Sequence, residues 1–208
     1  MNRATMDTKD RYDSVSIALH WIIAVGIVVL AGFELFRQEF PKGHVIREGL
    51  KAIHQPAGTV LMLLILVRLA WSLTFQRKPA AANQSVMQKW LATFVHVTLH
   101  ALTAAIPLVG LIAVFAAGKS IDFGLFQMAL PLKDVLGAFA KDLRGLHETM
   151  AISVLALAGL HALAALFHHY VIGDGVLRSM SFCSKRRSSL EAEPTYRVEA
   201  GSIEPHGA

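Results

Sequence analysis

The chain has 208 residues, 54% of them apolar, and a mean hydropathy well above zero, more apolar sequence than one soluble core requires, which points to the membrane class. Its single cysteine, Cys183, excludes an internal disulfide framework, thiolate zinc sites and cysteine-held iron–sulfur clusters, so any metal chemistry falls to the ten histidines. The formal charge of +5 comes with no basic helix or RNA-binding signature; nucleic acid is excluded as a partner, and basic residues at span ends read as membrane anchors.

The first apolar stretch, residues 15–36, follows a tail carrying Asp7, Lys9, Asp10, Arg11 and Asp13. It is long enough to cross a bilayer core of roughly 30 Å. It lacks the short apolar core and small-residue cleavage site of a signal peptide, so it reads as a retained first span. Pro41 and Gly43 make the next loop non-helical, and residues 50–75 form a second span closed by Arg77, Lys78 and Pro79. Residues 90–117 and 146–172 are long enough for two more. The segment between them, 118–145, is too charged to span, yet Phe123, Leu125, Phe126, Met128 and Phe139 are too apolar for a free linker. It is expected to lie on the outer interface as a partly helical cap. After Phe182 the composition turns polar, with Lys185, Arg186 and Arg187 followed by Glu191, Glu193 and Glu199. Residues 183–208 thus read as a disordered cytoplasmic tail, and residues 1–182 as an all-α integral membrane four-helix bundle in contact with lipid.

Four spans put both termini on one side. Trp21, Trp71, Trp90 and Tyr170 all fall near the span ends on that side, as an interfacial aromatic belt would. Twelve of the Lys and Arg residues lie on the terminal side and eight on the other, a bias that places both termini in the cytoplasm.

Eight histidines, His20, His54, His96, His100, His147, His161, His168 and His169, sit within the spans or at their ends. Ionisable side chains at membrane depth are costly and mark function, and eight are too many for incidental hydrogen bonding. On the fourth span His147, His161 and His168 are 14 and 7 residues apart, which leaves them within about 60° of one another on one inward stripe. A haem needs axial ligands from helices facing each other across the porphyrin. The 14-residue step therefore suggests two b haems about 21 Å apart, one near each membrane face. By depth, His147 and His54 share the outer side. His161 and His20 share the inner side, where His168, His96 and His100 compete on depth alone.

The chain resembles the bacterial di-haem cytochrome b561 proteins of the superoxide oxidase type. The pieces that carry the likeness are Ile17-Ala-Leu-His20-Trp21, Ile53-His54 with Val67-Arg68-Leu69, and His96 with Ile106-Pro-Leu-Val-Gly110. Span four adds Leu146-His147-Glu148-Thr149, Gly159-Leu-His161-Ala and Ala165-Leu-Phe-His168-His169-Tyr170, so the likeness runs over about residues 10 to 182. The resemblance implies axial ligands at His20, His54, His147 and His161, and a quinone contact at His168. It also implies a bacterial inner-membrane oxidoreductase that oxidises superoxide outside and reduces ubiquinone inside. The long acidic tail and the outer loops depart from the family pattern. Arg68, one turn before Trp71, is suited to a haem propionate, because guanidinium binds carboxylate through two parallel hydrogen bonds. Snorkelling to headgroups would serve Arg68 equally.

Two histidine ligands leave no open position on iron, which favours outer-sphere electron transfer over oxygen binding. Eight basic residues of the outer segments, Arg37 to Arg144, could steer a small anion. Interspersed acids such as Glu34, Glu48 and Asp142 read most of them as ordinary loop charges. The alternatives are an electron-transfer subunit serving a separate dehydrogenase or reductase as redox partner, and a metal-ion carrier using the histidines as a relay.

Overall fold

In the computed structural model, which describes residues 12–75, 85–173 and 176–180, each long apolar run becomes a helix with an identifiable start. Helix α1 (Ser14–Gln38) is capped by Asp13, whose carboxylate accepts from the Ser16 amide at 2.9 Å and from its hydroxyl at 2.8 Å. The same carboxylate accepts from Trp71 Nε1 at 3.0 Å and so ties the start of α1 to the far end of α2 (Val45–Thr74). His44 caps α2 through its ring nitrogen. Helix α3 (Val86–Ala116) begins with a reciprocal capping box between Ser85 and Gln88 and runs on through Pro107.

The segment after α3 is partly helical, as its mixture of charge and apolar residues suggests. It opens with a two-stranded antiparallel hairpin, β1 (Ile121–Asp122) and β2 (Gln127–Met128), that the sequence reading did not anticipate. Gly124, at φ +82°, takes the left-handed turn position, and its amide donates to Asp122 at 2.7 Å. Ile121 is fully buried beneath the hairpin, as is Phe115 near the end of α3, while Leu125 at the tip is exposed. A short helix, α4 (Lys133–Leu136), and one 3₁₀ turn lead into α5 (Ala140–Phe167). The fourth span therefore starts six residues earlier than its apolar run, on polar residues such as Lys141 and Asp142 that the run excludes. It ends in a π-helical turn, His168–Ile172, closed by Gly173 at φ +74°.

A final short helix, α6 (Val176–Ser179), folds back to the start of α1. The Tyr12 amide donates to the Ser179 carbonyl, and Trp21 Nε1 donates to the Met180 carbonyl at 2.9 Å. The N-terminal end of α1 and the chain leaving α5 thus share one end of the bundle, as an even number of spans requires. The aromatic belt holds as well: Trp21 and Trp71 use their indole N–H groups there, and Trp90 and Tyr170 are exposed. The expected C-terminal tail, residues 183–208, and the basic residues Arg77 and Lys78 lie outside the described residues.

All four long helices are long and apolar enough to cross a membrane and carry large apolar side chains outward, Val28, Leu63, Phe94 and Leu160 among them. They associate as two pairs, α1 with α2 and α3 with α5, with α2 against α3 between the pairs. Gly26 sets the α1–α2 approach, because a Cβ there would lie 2.9 Å from Leu61 Cδ1. Helix α5 meets α1 and α2 only at scattered points, which leaves a seam between the two pairs.

The Asp13 cap yields the first prediction. Asp13→Ala removes the α1 cap and the acceptor for Trp71, and should destabilise the detergent-solubilised protein by about 1–2 kcal/mol. Asp13→Asn, which keeps an acceptor oxygen, should recover most of the lost thermal midpoint. Equal losses in the two variants would show that the capping bonds carry no stability.

Candidate functional site

The seam is where the histidines meet. His54, in the third turn of α2, and His147, in the third turn of α5, face each other with ring centroids 6.4 Å apart and planes at 81°. An ion bonded to one nitrogen of each ring at about 2.0 Å, with each centroid about 1.1 Å further on, separates centroids by roughly 6.2 Å. His147 is oriented from the side: its Nδ1 lies 2.8 Å from the Ile106 carbonyl of α3. A carbonyl can only accept, so Nδ1 carries the proton and Nε2 keeps its lone pair for a ligand bond. Gly110 makes this possible, since a Cβ there would stand 2.7 Å from His147 Nδ1. Gly110 thus makes room for the imidazole.

The group expected on the inner side, toward the end of the bundle that holds the start of α1, gathers four histidines and an arginine. His161 of α5 packs edge-on against His96 of α3, with centroids 5.2 Å apart. His100 Nδ1 lies 2.6 Å from the His96 carbonyl, so that ring is committed to its own helix through one nitrogen. His20 of α1 is within electrostatic reach of His161, His96, His100 and Arg68. Arg68 also acts on His161, His96 and Tyr12. Burial raises the Tyr12 phenol above its ordinary value, and the Arg68 guanidinium pulls the other way. His20 and His161 therefore belong to one cluster, although the ring in contact with His161 is that of His96. His168 and His169 lie in the π-helical turn at the same end.

Three imidazole nitrogens among the described residues are buried without a hydrogen-bond partner: Nδ1 of His20, of His54 and of His169. A buried polar atom left unsatisfied is costly, so these rings are not positioned by a hydrogen bond to the polypeptide through Nδ1. Among the described residues no three His, Cys, Asp or Glu side chains converge on a point where they could hold a bare ion. A porphyrin brings four nitrogens of its own, so a facing pair of imidazoles is a sufficient protein contribution. The donor set and the His54–His147 spacing thus fit haem.

Two features escaped the sequence reading. One is the His96–His161 contact. The other is a pair at the outer end of α1, Glu34 with Arg37, whose guanidinium meets the carboxylate through two nitrogens. Sequence reading took both for loop charges, yet Arg37 is only 7% exposed. Their i,i+3 spacing inside an otherwise apolar helix was the available signal.

Residues 11–182 match the family model described as prokaryotic cytochrome b561. The chain belongs to the prokaryotic cytochrome b561 family. Similar proteins include a probable superoxide oxidase CybB from Yersinia pestis, 29% identical over 176 residues, covering 82% of this chain and 95% of that protein. Cytochrome b561 homolog 2 of Escherichia coli strain K12 is 29% identical over 84% of this chain and 93% of its own. Homolog 1 of the same organism is 28% identical over 82% and 97%. Membership makes this cytochrome a multi-pass membrane electron-transfer protein and implies haem b as its cofactor.

Gly110 offers a direct test of the outer pair. Gly110→Ala should push the His147 ring off the Ile106 carbonyl and lower the haem b absorbance per protein at least severalfold, while far-ultraviolet helicity stays unchanged. Unchanged haem content would show that His147 need not stand where the structure puts it.

Proposed function

We propose that this cytochrome holds two b haems, one between His54 and His147 and one between His20 and His161, and oxidises superoxide at the outer face while reducing ubiquinone at the inner. The observation that carries the reading is the His54–His147 pair, two imidazoles from different helices spaced for a single ion between them. Bound haem supplies reversible one-electron chemistry with no open coordination position. In the balanced reaction two superoxide anions each lose one electron to become two molecules of oxygen. One ubiquinone takes up both electrons and two protons to become ubiquinol.

The chain's own tasks follow. His147 is kept in the Nδ1–H tautomer by Ile106, so its Nε2 is available as a ligand without a proton to shed. Arg68 sits among the inner histidines as the cation for a propionate. His168, in the π-helical turn at the inner end, is the residue we assign to the quinone head, where an imidazole can hydrogen-bond a quinone oxygen and pass it a proton. The apolar helices exclude water from the space between. We place the protein in the bacterial inner membrane with both termini cytoplasmic. The name of the Yersinia pestis relative supports superoxide as the electron donor.

A second reading is an electron-transfer subunit that serves a separate dehydrogenase or reductase. It is favoured by the exposed apolar tip of the cap, where Leu125 is 97% and Phe126 60% exposed.

Two measurements test these assignments. In reduced-minus-oxidised spectra, His→Ala at 54 and at 147 should each remove the same haem, and His→Ala at 20 and at 161 should each remove the other. Full haem content in any of the four strikes that residue from the ligand set. Purified protein mixed with superoxide should be reduced at close to the encounter rate, and His168→Ala should then keep its haem reduction but slow the reoxidation by ubiquinone at least tenfold. Sluggish reduction by superoxide would favour the partner-dependent subunit.

A further inference from the structure

The register between α1 and α2 is fixed at three levels. Gly26 meets Leu61, the Leu30 carbonyl acts on the His54 ring, and Arg47 Nη1 donates to the Arg37 carbonyl at 3.2 Å. Glu34 is one helical turn beyond Leu30 on α1, so it stands one turn outward of His54 on the neighbouring helix. Arg47 also donates to the Phe40 carbonyl at 2.6 Å, which pins the loop that follows α1.

Glu34 is not a solvated surface acid. Its carboxylate is bound by Arg37 Nε at 2.7 Å and by Nη2, and the two side chains retain 28% and 9% of their exposure. Both charges act on His54, the carboxylate more strongly than the guanidinium. From across the seam Arg144 of α5 acts on Glu34, and Glu148 acts on Arg37. The pair therefore stands one turn outward of His54, with its carboxylate within electrostatic reach of that ring.

We propose that the Glu34–Arg37 pair is a positioning element that sets the redox poise of the His54–His147 site, with the Glu34 carboxylate stabilising the oxidised form. The inference rests on the ligand assignment above. Oxidised iron carries one more positive charge than reduced iron, so a fixed negative charge nearby favours it and lowers the potential. Both side chains are largely shielded from solvent, so screening does not erase the effect. Arg37 keeps the carboxylate ionised and pointed, and Arg47 holds the backbone beneath Arg37.

The test is a potentiometric titration of the purified haem-loaded protein. Glu34→Gln should shift the outer haem toward the reduced form at least threefold at fixed potential, about 28 mV upward at 59 mV per tenfold change. Glu48→Gln, an exposed carboxylate 3.5 Å from Lys51, should leave it unmoved. If Glu34→Gln fails to assemble because Arg37 is left buried and unpaired, the double change Glu34→Gln with Arg37→Gln removes both charges and should still move the outer haem upward, by less. An outer haem that stays put or moves downward in these variants overturns the proposal. His54→Ala separates this from failure of the ligand assignment: if that change removes no haem, the assignment is wrong. If it removes one haem while Glu34→Gln shifts nothing, only the tuning role is wrong.

Discussion

The seam between the two helix pairs constrains everything else in this protein. In water, apolar faces drive helices together. In a bilayer the lipid tails are as apolar as the side chains, so helices cohere through close packing, polar contacts and ligands. Within each pair such contacts exist: Gly26 admits Leu61, and Gly110 admits His147 with its bond to Ile106. Between α5 and the α1–α2 pair they are scattered, and the side chains that meet there are imidazoles. A polar ring facing hydrocarbon costs several kcal/mol unless something engages it. The geometry that makes the seam poor packing for a plain helical bundle suits it to a flat cofactor held by rings from opposite sides.

The two ends of the bundle solve different problems. At the terminal end, Asp13 joins α1 to Trp71, and Trp21 and Tyr12 join α1 to the segment that follows α5. These bonds close a clasp that joins the α1–α2 pair to the chain leaving α5. At the other end the hairpin and α4 bury Ile121 and Phe115, and the Glu34–Arg37 pair replaces the water that charged groups would otherwise require. The cap is thus built partly from apolar packing and partly from paired charge, as suits a boundary between lipid and solvent.

Much of this was legible in the residues. The four spans, the shared side of the termini and the aromatic belt follow from hydropathy and end residues, because a bilayer enforces length and backbone satisfaction. The outer histidines could be paired by depth, since His54 and His147 both enter their spans from one side. The inner group resisted the same logic. Depth measures position along the membrane normal, whereas His96 and His161 are neighbours because α3 and α5 pack side by side, which no periodicity within one helix reveals. The hairpin was missed because two-residue strands carry too little alternation to register. The π-helical turn was missed because it changes the register only after His168, where no periodic residue marks the departure from the 100° step.

That break bears on how the inner end works. A π turn widens the helix by one residue; His168, whose amide still donates to the Ala164 carbonyl four residues back, keeps the α-helical register, and the side chains after it leave the stripe set by His147 and His161. His168 thus stands at the point where the register changes, in a turn type frequent at functional sites. The left-handed Gly173 then redirects the chain into α6, toward Trp21 and Tyr12. Under the proposed assignments the haem ligand His161 and the quinone contact His168 share one stripe seven residues apart, and the irregularity that follows turns the chain out of the span just beyond the second of them.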